Sequence, residues 1–251
     1  MLPRLTWSRT PTWRVNPVEG LDPQRSAQRD DDLATAAPTH DDAWAERAVR
    51  LRLAGRDAEA REALGHISPA GFERLADARL TRAFYTALDG DFARAFDDAS
   101  PVLATRPALD PGTPVLAATL ARWSMARGPE GLGPAITLLS TRATVGPLSD
   151  PERCTLVAAL VRARREPEAA ALASQFSEQL QPFAGDVDAW GAGLLTEGEG
   201  PASVGIALLL GGRAREAEAP LERALAVSRG PWVEETRRWL ARARRAPERR
   251  P

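Results

Sequence analysis

The feature of this sequence that most constrains its fold is a residue spacing that recurs 157 positions further along the chain. Both copies have gaps of three, two, eight, three and two residues between small or apolar positions. The two sets are Trp44, Ala48, Leu51, Ala60, Leu64 and Ile67, and Pro201, Gly205, Leu208, Ala217, Leu221 and Ala224. Each copy has a Gly-Arg pair between its third and fourth positions, Gly55-Arg56 and Gly212-Arg213. Internal repetition of this kind predicts a chain built from stacked copies of one supersecondary unit.

Related spacings between these copies predict three further units. The alanines that mark the five units are Ala60, Ala95, Ala135, Ala170 and Ala217, at intervals of 35, 40, 35 and 47 residues. The third unit is degenerate, and the fourth aligns through Ala158, Val161 and Ala170. Apolar residues recur at helical spacing, and strand-forming residues are scarce. The sequence therefore predicts an all-α solenoid of about five helix-turn-helix hairpins over residues 41–246, with a capping helix at 231–246.

Three segments do not follow the repeat. Residues 1–40 are rich in proline and predict an extended arm, whose Trp7 and Trp13 either fold back into a groove of the same molecule or dock a partner. An insertion near residues 183–200 carries Trp190 and is either a binding loop or a plain linker with a short helix. Residues 247–251 form a tail.

All 33 basic residues are arginines, and the formal net charge is −1. The exclusive use of arginine indicates a GC-rich bacterial genome, although a protein that grips phosphates or carboxylates would show it too. Residues 212–251 hold 11 arginines and six acidic residues, an excess of +5. Because Trp232 and Trp239 recur on one side of the predicted last helix, that side must be buried, which favours a capping role over nucleic-acid binding.

Two segments carry a resemblance to a known family. WAERAVRLRLAGRDAEAREALGHI and PASVGIALLLGGRAREAEAPLERALA resemble tetratricopeptide (TPR) repeats in the glycine turn, the small residue five positions beyond it and the following leucine. The resemblance implies a right-handed superhelix whose inner surface binds peptides or partner domains, and it places Arg52, Phe84 and Arg162 on that surface. The carboxylate clamp of the family needs lysine and asparagine in the first helices. This chain has no lysine and a single asparagine, Asn16, so that mode of recognition is excluded.

No constellation of residues in the sequence predicts catalysis, a metal site or a cofactor. His40 and His66 have no metal-ligand partner at helical spacing, and the single cysteine, Cys154, falls in an apolar helical pattern. The glycines of GPEGLG at 128–133 lack the lysine and the preceding strand of a phosphate loop. No apolar run is long enough to span a membrane, and the N-terminus lacks the pattern of a signal peptide. We therefore expect a non-enzymatic bacterial protein of the cytoplasm.

The function that the sequence favours is a protein-protein interaction scaffold, as an adaptor or assembly factor that binds its partner through the concave groove. Two alternatives stay open. One is an accessory subunit of a larger complex, anchored by the N-terminal arm. The other is a TPR regulatory domain that contacts nucleic acid through its arginine-rich last helix. The candidate partner-binding residues are Trp7, Trp13, Arg52, Phe84, Arg162 and Trp190. The sequence leaves the partner and the oligomeric state open.

Overall fold

A computed structural model of the chain describes residues 40–53, 55–105, 113–180, 198–228 and 231–246. Those residues form twelve α-helices and two short 3-10 helices, without a β-strand among them. The all-α prediction is therefore confirmed for this part of the chain. The predicted arm up to residue 39, the predicted insertion up to residue 197 and the tail lie outside the described residues. The chain divides into two compact units between Arg106 and Pro107.

Unit 1 contains two helix pairs with a short helix between them. Its helices are α1 (Asp41–Leu53), α2 (Asp57–Gly65), α3 (Pro69–Arg74), α4 (Ala76–Leu88) and α5 (Phe92–Thr105). Helix α1 packs along α2 and α4 packs along α5, while α1 also packs against α4. The consecutive helices that the sequence predicts to pair are therefore packed together in this unit.

Unit 2 contains three further helix pairs and a last single helix. Its helices are α6 (Thr113–Ala126), α7 (Leu132–Val145), α8 (Asp150–Arg162), α9 (Glu166–Phe176), α10 (Glu199–Leu210), α11 (Ala214–Val227) and α12 (Val233–Arg245), with 3-10 turns at Pro129–Gly131 and Ser177–Gln179. The pairs are α6 with α7, α8 with α9, and α10 with α11. Helix α8 also packs against α6, α7 and α10, and α12 packs on α11.

The start of unit 1 contains a contact between distant residues and a break between two helices. The carboxylate of Asp41 does not cap its own helix, because it accepts hydrogen bonds from the backbone N–H and the hydroxyl of Ser68, at 2.8 and 2.6 Å. The hydroxyl of Ser68 in turn accepts from the N–H of Gly71 and caps α3. Within FERLADARLTRAFYTALDG, helices α3 and α4 are separated at Leu75, whose backbone is extended. The residues before Leu75 thus form the separate helix α3, and the hydrogen bonds between Ser68 and Asp41 connect its start to α1.

The turn between paired helices has the same geometry in three of the pairs. Gly55, Gly90 and Gly212 adopt positive φ angles of 73°, 87° and 88°. The residue after each glycine donates its N–H to the carbonyl five positions earlier, in the bonds Arg56 to Leu51, Asp91 to Thr86 and Arg213 to Leu208. This is the Schellman arrangement, which needs a left-handed residue and therefore favours glycine.

The fourth pair has this turn with an arginine in the place of the glycine. Arg164 adopts a φ of 63°, and the N–H of Arg165 bonds to the carbonyl of Leu160 at 2.8 Å. The residue equivalent to Ala60 and Ala217 is therefore Ala169, which is fully buried, and not the half-buried Ala170. The alignment of the fourth unit through Ala170 is thus wrong by one residue, because the turn lacks the glycine that marks it elsewhere.

Small residues stand where the two helices of a pair approach each other closely. The fully buried alanines at these positions are Ala48 and Ala60 in the first pair, Ala83 and Ala95 in the second, and Ala217 in the fifth. In the fifth pair Gly205 faces Ala217, and a Cβ atom added to Gly205 would lie only 2.5 Å from Cγ of Leu221. A larger side chain at this position would force the two helices apart.

In the degenerate third pair, other residues allow the two helices to approach each other closely. A 3-10 turn precedes α7, and a Cβ atom on Gly131 would lie 1.6 Å from the carbonyl oxygen of Ser124. The hydroxyl of Ser124 donates to the carbonyl of Gly131 at 2.7 Å. Ala135 and Leu139 are both fully buried, as their match to the repeat predicts.

Tyr85, the only tyrosine in the chain, joins α4 to α2. Its hydroxyl donates to a carboxylate oxygen of Asp57 at 2.8 Å, and the guanidinium carbon of Arg61 lies 4.5 Å from its ring centre. The same guanidinium pairs with Asp89. Burial of the phenol, followed by its hydrogen bond to Asp57, raises the pKa of Tyr85 above its ordinary value.

The Gly205 contact predicts opposite effects for two helical glycines. Gly205→Ala should lower the unfolding temperature, because overpacking costs about 1–3 kcal/mol while helix propensity returns only about 1 kcal/mol. Gly133→Ala is the matched control, because Gly133 also lies in a helix and a Cβ there meets no atom within 4 Å. That variant should be as stable as the wild type or more so. Equal shifts in thermal melts of the two variants would contradict the packing argument.

The raised pKa of Tyr85 predicts a loss of stability in alkali. Unfolding lets the phenol ionise from about pH 10, so the native state binds more protons above that pH and unfolding becomes easier as the pH rises. The chain has no lysine, so few other groups titrate in this range. We expect the unfolding temperature of the wild type to fall more steeply above pH 10 than that of Tyr85→Phe. Absorbance at the tyrosinate band should show that ionisation of the native phenol is delayed; parallel pH profiles of the two proteins would refute this prediction.

Candidate binding groove

A cleft in unit 2 opens where the end of α8, the start of α9 and the first half of α12 meet. Its volume is about 410 Å³. The residues that line it are Val161, Arg162, Arg164, Glu166, Pro231, Trp232, Glu234, Glu235, Arg238, Trp239 and Arg242. Arginine and tryptophan side chains therefore form much of its wall, and these residue types are enriched where proteins bind one another.

The side chain of Arg162, at the end of α8, is completely buried and lies against two carboxylates. It forms an ion pair with Glu199 at the start of α10, and its Nε donates to Glu235 of α12 at 2.9 Å. The ring centre of Trp232 lies 4.8 Å from its guanidinium carbon. One arginine thus connects α8 with α10 and with the region of Trp232 and α12.

The two tryptophans of the cleft bond differently: Trp232 attaches the beginning of α12 to α6, and Trp239 bonds within α12. The indole N–H of Trp232 donates to the backbone carbonyl of Met125 near the end of α6 at 2.8 Å, and the same carbonyl also accepts from the N–H of Gly128 at 3.0 Å. The indole N–H of Trp239 donates to Glu235 at 3.1 Å. Glu235 therefore accepts from both Arg162 and Trp239. Together these bonds fix α12 along one side of the cleft.

A second hollow of about 830 Å³ adjoins the cleft and shares Glu166, Arg238 and Arg242 with it. We call the two together the α12 groove. The side chains that the second hollow adds are mostly apolar, with one arginine: Ala170, Leu209, Leu210, Ala214, Ala241, Arg245 and Ala246. The α12 groove therefore combines an apolar surface with a charged rim.

The charges along the α12 groove are only partly neutralised within the chain. Arg242 pairs with Glu166 at 2.6 Å, and Glu234 pairs with Arg237. Within the described ranges no carboxylate pairs with Arg164, Arg238 or Arg245, and all three side chains are exposed. The Nε of Arg238 makes only a long hydrogen bond of 3.4 Å to a backbone carbonyl of its own helix. These three arginines leave the rim with positive charge.

Of the predicted site residues, the structure brings together Arg52 and Phe84 in unit 1. The guanidinium carbon of Arg52 lies 4.8 Å from the ring centre of Phe84, so the two side chains make a cation-π contact. Phe84 is buried, and burial lowers the pKa of Arg52 from its usual value. The contact joins the ends of α1 and α4, and a role of either residue in partner binding stays a prediction.

Arg162 is the third predicted site residue within the described part of the chain, and its charge is already matched by Glu199 and Glu235. It lines the cleft, but its side chain is occupied by contacts inside the unit, and its role in partner binding stays a prediction. Trp7, Trp13 and Trp190 lie outside the described residues.

Sequence reasoning did not single out Arg164, Arg238 and Arg245 as groove residues. Arg164 was not recognised as a turn residue because the fourth turn lacks glycine, and the repeat alignment therefore placed this turn one residue away. Arg238 and Arg245 are seven positions apart on α12, which puts them on one side of a helix, and this spacing is the signal that was available.

The surroundings of two buried titratable groups in unit 2 indicate a structural role for each. Burial raises the pKa of the Cys154 thiol to about 12, so it is neutral at physiological pH. Burial also raises the pKa of Glu152, whose carboxylate accepts from the N–H and hydroxyl of Ser149 and forms the capping box of α8. Over the described ranges, no three His, Cys, Asp or Glu side chains group closely enough to hold a metal ion.

No protein-family model matches the chain, and no curated protein or solved structure matches it. None of the described helices has both the length and the apolar character that crossing a membrane requires.

The Arg162 ion pairs predict a large loss of stability when the arginine is replaced. Arg162→Met should lower the free energy of unfolding by about 3–5 kcal/mol, because it leaves two carboxylates in a poorly solvated site without their cation. The matched control is Arg165→Met, which removes an exposed arginine that pairs with Glu168 three residues later. Urea titrations followed by circular dichroism should show little change in that control. Comparable midpoints for the two variants would mean that the Arg162 cluster does not stabilise unit 2.

Proposed function

We propose that this chain is a non-catalytic helical-repeat protein of the TPR type, which binds a protein partner through the α12 groove and acts as an adaptor or assembly factor in the bacterial cytoplasm. The recurrence of one turn geometry and of buried small residues in successive helix pairs supports the repeat assignment. The observation that carries the binding role is the α12 groove itself, where arginines surround an apolar surface.

The composition of the α12 groove fits a protein partner better than a small metabolite. Both hollows are open rather than enclosed, and their linings combine arginines and glutamates with apolar side chains. An apolar centre with a polar rim, containing arginine and tryptophan, is typical of the cores of protein interfaces. Leu209, Ala170 and Ala241 supply apolar surface in the second hollow.

Nucleic-acid binding through α12 has less support. Three of the five arginines on α12 are engaged by glutamates: Arg237 by Glu234, Arg242 by Glu166, and Arg244 by Glu218 and Glu222. A surface that tracks phosphates needs cations free of carboxylates. Anchoring by the N-terminal arm concerns residues outside the described ranges. It predicts that deletion of residues 1–39 releases the chain from a complex.

Site-specific photo-crosslinking in the native host tests the proposal. A photoreactive amino acid at Ala241, in the α12 groove, should crosslink to one or a few defined proteins. The same amino acid at Ala226, exposed on α11 outside the groove, is the matched control and should not capture them. An absence of adducts at Ala241, or the same adducts at both positions, would contradict binding through this groove.

A further inference from the structure

We propose that Arg164, Arg238 and Arg245 bind an acidic, extended segment of the partner protein, with its carboxylates on these guanidinium groups. This inference rests on the proposed function and specifies the chemistry of the partner. Because the three arginines lack carboxylate partners within the described ranges, an acidic segment would complete a charge pattern that the unit leaves open. Planar guanidinium groups can hold carboxylates through two parallel hydrogen bonds.

The backbone of Arg164 is an independent indication that its side chain has a role. A non-glycine residue in the left-handed region is strained, and among the described residues Arg164 alone combines a side chain with a positive φ. Gly55, Gly90 and Gly212 fill the equivalent turns without that strain. Strained residues that persist in a fold are concentrated at sites that bind or react. The fourth turn therefore keeps a cation at the mouth of the cleft where glycine would serve the fold better.

The spacing of the arginines on α12 is matched by an extended occupant. Arg238 and Arg245 are seven residues apart, which corresponds to about 10 Å along a helix with a rise of 1.5 Å per residue. In a polyproline II segment, side chains three residues apart point in the same direction and are separated by about 9 Å. Two acidic side chains at this spacing match the two arginines. Arg164 lines the same cleft as Arg238 and would take a third carboxylate of the segment.

The same surface argues against a nucleic acid as the occupant. The apolar surface around Leu209 cannot form hydrogen bonds or ion pairs with phosphates. It can contact the small apolar residues between the acidic positions of a peptide. A polypeptide that alternates acidic and apolar positions fits both the arginines and this apolar surface.

Fluorescence anisotropy with a designed peptide tests the inference. The probe is a labelled peptide in which three glutamates are separated by Pro-Ala pairs, which favour the extended form. Full-length wild-type protein should bind it more tightly than the same peptide with glutamines. A triple variant with Arg164→Gln, Arg238→Gln and Arg245→Gln should bind about 10-fold or more weakly, since each exposed pair contributes a few-fold. Arg94→Gln, which removes an exposed arginine of α5 in unit 1, should bind like the wild type.

The strain at Arg164 adds a signature that a general charge effect would not produce. Arg164→Gly should raise the unfolding temperature, by roughly 2–4 °C, because glycine relieves the left-handed conformation. The same substitution should weaken binding of the glutamate peptide. Arg164→Gln should weaken binding without the gain in stability. A variant Arg164→Gly that binds as well as the wild type would remove Arg164 from the site.

Several results would overturn the inference. They are failure of the glutamate peptide to bind the wild type, equal affinity for the glutamine peptide, and equal affinity in the triple variant. Preferential binding of duplex DNA, with a steep decrease as salt rises, would assign the arginines to nucleic acid. If Ala241 still crosslinks to a partner in any of the first three cases, the scaffold function stands and only the acidic-segment inference fails. If Ala241 also captures no partner, both proposals fail.

Discussion

The conformation of one turn residue, in four of the five helix pairs, is the constraint on which much of the fold depends. A left-handed residue lets the next N–H reach a carbonyl five positions back, and this bond ends the first helix and starts the second along it. Glycine meets the requirement without strain at three turns, and Arg164 meets it with strain. Because the turn fixes where the second helix begins, it also decides which residue of that helix faces the first. The buried alanine five positions later follows from that geometry.

The same turn explains the arginine of the repeated Gly-Arg pair. Arg56, Arg165 and Arg213 each follow the turn residue, and each donates from Nε to a glutamate three positions later, at 2.6, 2.7 and 2.7 Å. These hydrogen bonds lower the pKa of Glu59, Glu168 and Glu216. A carboxylate in the first turn of a helix interacts favourably with the helix dipole. The glycine therefore sets the backbone, and the arginine holds an acid where the second helix begins.

The sequence predicts the features of this fold that depend on local pattern, and it misses those that depend on a single substituted position. Helix pairing, the buried alanines and the apolar side of α12 with Trp239 all follow from periodicity. The fourth register was misplaced because Arg164 adopts a conformation that sequence statistics assign to glycine. The separate helix α3 was missed because Asp41 turns its carboxylate to Ser68, 27 residues away, and local capping rules do not include such a contact. The α12 groove could not be predicted, since it forms between residues that are distant in sequence.

The excess of positive charge in the last 40 residues is concentrated at a few side chains of the structure. Arg242 is engaged by Glu166 from α9, and Arg244 by Glu218 and Glu222 from α11, so much of the charge on α12 fastens that helix to its unit. The cations left without carboxylates in the described part of α12 are Arg238 and Arg245, and both line the groove that Arg164 also lines. Ion pairs that fix α12 therefore also determine where positive charge remains. A partner that recognises this protein by charge would find it at the groove rather than over the whole helix.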